Sequence, residues 1–408
     1  MNGYTPASSL GWLDLDTAAS ERVSTLLRSL EEPSTLDVLG LGSIRDAFSD
    51  MLTPGTSTVQ TRLRYFIFLP WIFKRLEDQH VSAADFASRL RDAEAQLIDC
   101  LRHLGRGQGV IGRVAGRDLR RMPSDIYWGS MEAWGIRRLD LSLSEYAQQA
   151  AAIGRRQPER DDDGTATEEG VPIWTAIPAP PEKFLSDEIT FDLEAEEAQV
   201  LTDGIRRHHP ETLVAVLSDM PGLALDVDFP WELRVDGPPA RLAEVLHHAR
   251  CFSELTLGPR LVYNVLAARA ARSQLGWDTK ELEDDQLEKL NDWSQLVGNR
   301  HDKLLAWVDN APEFWQLLAD HRIARGTLRF WDQMARRAVN DPIGFAENGD
   351  VHRLIRERER RLKSKRARLS HRAALEDWNQ GLVGGQLDYR WSITRSYLQD
   401  LAAAGSGN

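Results

Sequence analysis

Apolar side chains recur every three to four positions through most of the chain, and that period predicts a largely α-helical protein. Val23, Leu26, Leu27 and Leu30 mark a helix over 17–30, which Glu31-Glu32-Pro33 stops. From Val59 to Leu76 apolar residues run nearly all round, as in a helix buried on most sides. Pro70 should kink that helix, because its ring removes a backbone donor and crowds the preceding turn. Over 83–104, Phe86, Leu90, Leu97, Ile98 and Leu101 share one face, so the first hundred residues read as a helical bundle.

The pattern changes in the middle of the chain. A helix through Tyr146 and Ile153 ends near Arg156, and PERDDDGTATEEGVP follows, six acids and one Arg with almost nothing apolar, which predicts an exposed loop or linker. Short strand-like pieces come next at 173–177, 188–193 and 224–229, punctuated by Pro178, Pro180, Pro181 and Pro221. Helical spacing returns from Pro239 to Gly276 and continues through 281–337. The expected fold is therefore mainly α, helical bundles with a small β insertion in the middle of the chain. Its expected parts are a helical domain over 1–157, an acidic Pro-rich linker over 158–238 and a second helical domain over 239–404. No repeat of 20–50 residues and no sustained heptad pattern stands out.

Composition narrows the class. The 408 residues are 42% hydrophobic and 27% charged, enough to bury a full core. The longest apolar run, Tyr65 to Phe73, has nine residues and contains a Pro, whereas a membrane-spanning helix needs roughly twenty, so no membrane association is expected. Only Cys100 and Cys251 occur, without a CxxC, and the N-terminus lacks the basic and apolar regions of a signal peptide; a reducing cytoplasm fits both. A net charge of -12 opposes indiscriminate adhesion to nucleic acid, so any such binding has to be local.

Two basic islands supply that possibility. Residues 353–372 carry ten basic side chains against Glu357 and Glu359, a local net of +8. Ile355, Leu362 and Leu369 recur every seven places, which gives a long helix one thin buried stripe and leaves Arg353, Arg356, Arg358, Arg360, Arg361, Lys363, Lys365, Arg366, Arg368 and Arg372 to solvent. Such a rod can lie along a phosphate backbone. The plainer reading is a solvated helix braced by Glu357 with Arg361 and Glu359 with Lys363, or one answered by the acidic stretches 278–292 and 182–203. The second island, 105–138, interleaves Arg113, Arg117, Arg120, Arg121, Arg137 and Arg138 with Tyr127, Trp128 and Trp134, a means of holding phosphate and stacking a base. Its glycines at 105, 107, 109 and 112 lack both the Walker Lys-Ser/Thr and a preceding strand, and the aromatics read first as core.

The inventory for catalysis is thin. His208-His209 and His247-His248 are adjacent pairs whose members point in different directions, and no HExxH, GxSxG or His/Cys cluster occurs. Asp226, Asp228 and Glu232 could gather around Mg2+ in a nuclease, though Arg234 stands where a Lys would strengthen the signal. No cofactor or metal is called for.

Several blocks together resemble an uncharacterised family of bacterial proteins known only as a domain of unknown function: GWLDLD at 11–16, TRLRYFIFLPWIF at 61–73, IGRVAGRDLRRMPSDIYWGSMEAWGI at 111–136 and LDYRW at 387–391. The resemblance spans most of the chain and weakens from about 155 to 240. It implies residence in genomic islands beside restriction, helicase and phospholipase-D-like nuclease genes, hence a role in anti-phage defence, and it supplies no catalytic residue. The expected function is a non-enzymatic defence-complex subunit that touches nucleic acid, DNA in preference to RNA, and partner proteins such as a helicase or nuclease. A metal-dependent nuclease and a purely protein-binding scaffold are the alternatives.

Overall fold

The computed structural model describes residues 37–153, 172–220, 223 and 225–405. The helix expected over 17–30, the acidic stretch 158–171 and the last three residues lie outside the described residues, as do Pro221 and Ala224. Fifteen α-helices and no β-strand occur among the described residues. In order they are α1 (Gly42–Leu52), α2 (Tyr65–Asp78), α3 (Ala83–Leu101), α4 (Pro123–Ala133), α5 (Leu143–Ile153), α6 (Ala195–His208), α7 (Leu213–Ser218) and α8 (Ala240–Leu275). After these come α9 (Lys280–Asn299), α10 (His301–Asp309), α11 (Ala311–Leu317), α12 (Arg325–Asn340), α13 (Gly349–Lys363), α14 (Arg372–Glu376) and α15 (Trp391–Gly405). The described chain forms two compact units, one made of 53–226 with 390–405, the other of 37–52 with 227–389.

In the first unit, α2 is the core element, with every residue from Tyr65 to Phe73 buried. Its all-round apolar sequence is used on all sides. Phe66 stacks on Trp134 at 4.3 Å, the Tyr65 hydroxyl accepts from the Ile111 amide at 3.0 Å, and the Trp71 indole N–H donates to the Pro178 carbonyl at 2.7 Å. α15 is tied to the residues that lead into α2, because Asp400 accepts from Arg62 at 2.7 Å and from the Leu63 amide at 2.9 Å.

The expected β insertion is absent among the described residues, where only one isolated bridge forms, between Arg137 and Trp174. The alternation read at 188–193 does govern burial, since Phe191 and Leu193 are buried, but the segment lies against α2 instead of a neighbouring strand. Its main chain is served by irregular partners: the Ile189 amide donates to the Cys100 carbonyl and the Thr190 carbonyl accepts from Arg64. Proline at 178, 180 and 181 removes three donors that a ladder would need.

In the second unit, α8 is a 36-residue helix buried along much of its length, and Gly276 caps it in the left-handed region at φ 70°. Pro239 precedes it and Gly276 follows it, the two boundaries visible in the sequence. The short turn 276–279 leads to α9, which packs against α8. Their approach is close at one point: a Cβ on Gly258 would stand 2.4 Å from the Trp293 ring, whose N–H donates to the Glu254 carbonyl at 2.8 Å.

Candidate nucleic-acid interface

The 353–372 island is not one rod. The helix α13 stops at Lys363, Ser364 takes φ 51° and ψ -120°, and a single 3-10 turn, Ser364–Arg366, follows. Glu359 explains the fold-back. Its buried carboxylate accepts from the Tyr263 hydroxyl at 2.7 Å and from the amides of Arg368 and Leu369 at 2.9 and 3.0 Å, which pins the returning chain against α13. Burial pushes the Glu359 carboxyl above its usual range. The seven-residue stripe fails at its middle member: Leu362 is 41% exposed, and α13 instead buries Val351, Ile355, Arg358 and Glu359.

The ten cations accordingly separate into four kinds. Arg358 and Arg368 are buried. Arg358 donates to the Leu39 carbonyl at 2.9 Å and the Thr327 hydroxyl at 2.8 Å and lies over the Phe330 ring, and burial lowers its pKa. Arg368 is packed beside Glu359 and Tyr263. Arg353 and Arg372 are exposed but paired, with Asp350 and Glu376 respectively. Arg356, Arg360, Arg361, Lys365 and Arg366 are exposed and make no side-chain hydrogen bond or ion pair among the described residues. Lys363 is half-buried, and desolvation lowers its pKa. The bracing expected from the sequence is replaced: Glu357 reaches Arg353, and Glu359 faces inward.

The acidic stretches are engaged elsewhere. In α9, Asp284 and Asp285 pair with Lys280 and Lys289 one turn away, while Glu283 takes Arg269 and Arg272. In the first unit, Glu197 takes Arg64 at 2.9 Å.

The Arg-aromatic block of the first unit is built inward. Tyr127 and Trp134 are fully buried, and Trp128 donates to the Leu141 carbonyl while Arg137 covers its ring at 4.6 Å. Arg137, itself buried, binds Glu132 and the Leu139 carbonyl. None of the three rings is exposed, so this block offers no base-stacking platform among the described residues. Arg113 donates to the carbonyls of Leu104 and Arg102, and Arg117 pairs with Asp92 at 2.6 Å. Only Arg120 and Arg121, of the four arginines expected to contact nucleic acid here, are exposed with no side-chain partner among the described residues. The glycines serve turns: Gly109 at φ 84° faces Arg62, with room for no Cβ.

The carboxylates at 226–232 gain no support as a metal site. Glu232 caps its own turn by accepting from the amides of Asp228 and Phe229, and among the described residues no group of three His, Cys, Asp or Glu is placed to hold a metal ion. His248 accepts from the Trp307 indole at 2.8 Å, and His209 bonds the Ala133 carbonyl at 2.7 Å.

Two cations outside both islands belong beside α13. Arg325 and Arg329 are exposed, with no side-chain partner among the described residues, on α12, the helix that Arg358 clamps through Thr327. Nothing in their sequence surroundings separates them from ordinary surface arginines.

A family model described as a family of unknown function, DUF6361, matches residues 7–405. No curated protein and no solved structure matches the chain. No helix among the described residues is long and apolar enough to cross a membrane.

Proposed function

We propose that this chain, which belongs to the DUF6361 family of unknown function, is a non-enzymatic subunit of a bacterial anti-phage defence assembly that contacts nucleic acid through α13 and the turn after it. The observation that supports this reading is the cluster Arg356, Arg360, Arg361, Lys365 and Arg366, exposed and unpaired among the described residues in a chain of net charge -12. Arg356 and Arg360 stand one helical turn apart on one face, and guanidinium forks suit phosphate oxygens. Contacts of this kind hold a backbone without reading its sequence, so the expected ligand is a duplex of any sequence; DNA is proposed ahead of RNA from the family resemblance alone. Arg120 and Arg121 add charge but no stacking. Partner proteins such as a helicase or nuclease are proposed from the family resemblance alone.

The purified chain should retain a labelled DNA duplex at low salt. A variant carrying Arg356→Ala, Arg360→Ala, Lys365→Ala and Arg366→Ala should lose it. Unchanged retention in that variant refutes the assignment of the surface.

A further inference from the structure

The second unit contains a cavity of about 340 Å³ between the 3-10 turn at Pro230–Glu232, the N-terminal part of α8 and the α9–α10 junction. Its apolar lining includes Leu233, Leu242 and Trp231, whose indole stacks in parallel on Phe229 at 5.0 Å. Its cationic lining is Arg250, Arg300 and Lys303, and His247 also lines it.

The charges of these cations are incompletely answered. Arg250 and Arg300 share one buried carboxylate, Glu254, which leaves one guanidinium charge over. Lys303 is exposed and has no side-chain hydrogen bond or ion pair among the described residues. Burial and the neighbouring arginines lower the His247 pKa, so its imidazole offers a hydrogen bond in place of a further charge. An indole and a surplus of positive charge lining one cavity suit a ligand with a flat ring at one end and a phosphate at the other. The volume lies at the small end of the range for ligand pockets, which fits a single nucleotide and not a polymer.

We propose that this cavity binds a nucleoside monophosphate, with the base against Trp231 and the phosphate between Arg250, Arg300 and Lys303. The inference is independent of the DNA-contacting surface on α13.

Titration calorimetry of the full chain with adenosine 5′-monophosphate, with adenosine and with inorganic phosphate tests it. The monophosphate should bind, and each half alone should bind about tenfold more weakly or worse, since each forfeits one of the two contacts. Lys303→Glu, at an exposed position that leaves the fold intact, should weaken the monophosphate about tenfold or more. Trp231→Leu should weaken the monophosphate and leave phosphate unaffected. Absence of saturable binding to the wild-type chain overturns the proposal, as does equal affinity for phosphate alone, or affinity unchanged in both variants.

Discussion

Replacing Glu359 with Ala should free the turn that presents Lys365 and Arg366. The carboxylate takes three buried donors, the Tyr263 hydroxyl and the amides of Arg368 and Leu369, and an alanine takes none. A buried donor left unsatisfied costs about 1–3 kcal/mol. Removing the side chain also releases the desolvation that pushes the Glu359 carboxyl upward, so the lower figure applies and the three donors together lose about 3 kcal/mol. At 1.4 kcal/mol per factor of ten, amide exchange across 364–371 should quicken about a hundredfold in Glu359→Ala. Glu359→Gln keeps one carbonyl oxygen and should fall between. Hydrogen exchange read by mass spectrometry on peptides covering 364–371 measures this directly. An exchange rate in Glu359→Ala within about threefold of wild type would refute the claim that this carboxylate holds the fold-back.

Two further perturbations test the frame of each unit. Glu94 is buried and receives the Ser124 amide at 2.6 Å and the Ser124 hydroxyl at 3.0 Å; burial raises its pKa from 4.5 to about 8. A carboxyl whose folded pKa is raised stabilises the fold fully below its unfolded value and loses that contribution as pH rises toward the folded one, here about 5 kcal/mol at most between pH 4.5 and 8. Glu94→Gln should flatten that part of the denaturation profile, and a wild-type slope retained in the variant would contradict the reading. Gly258→Ala drives a Cβ into the Trp293 ring and should destabilise the second unit by about 1–3 kcal/mol in urea unfolding, despite the better helix propensity of alanine.

Much of the helical frame is legible in the sequence, because periodicity and punctuation are local signals. The segment Tyr65 to Phe73 is apolar all round and every residue in it is buried, and Ser82 caps α3 where the reading begins that helix. What fails is tertiary. Arg358 and Arg368 sit in a run of identical-looking charges, and nothing local reveals that one clamps Leu39 and the other packs beside Glu359. The Ser364 break follows from Glu359 capturing amides nine and ten residues ahead, a bond that no period encodes. The pieces at 173–177 and 188–193 have strand-like composition, yet the surface available to them is the aromatic flank of α2, marked by Phe68 and Phe73. The aromatics Tyr127, Trp128 and Trp134, interleaved with Arg, read first as core from sequence, and the burial of Tyr127 and Trp134 agrees.

The most direct measurement of the central claim is the salt dependence of duplex DNA binding. Each phosphate neutralised contributes about 0.9 to the slope of log affinity against log salt, so five exposed cations predict a wild-type slope of about -4 to -5. With Arg356, Arg360, Lys365 and Arg366 changed to alanine, any binding that persists should show a slope shallower by about 3 to 4. A wild-type chain that fails to bind duplex at low salt, or a variant whose slope equals that of wild type, would contradict the assignment of α13 and its following turn as the nucleic-acid surface.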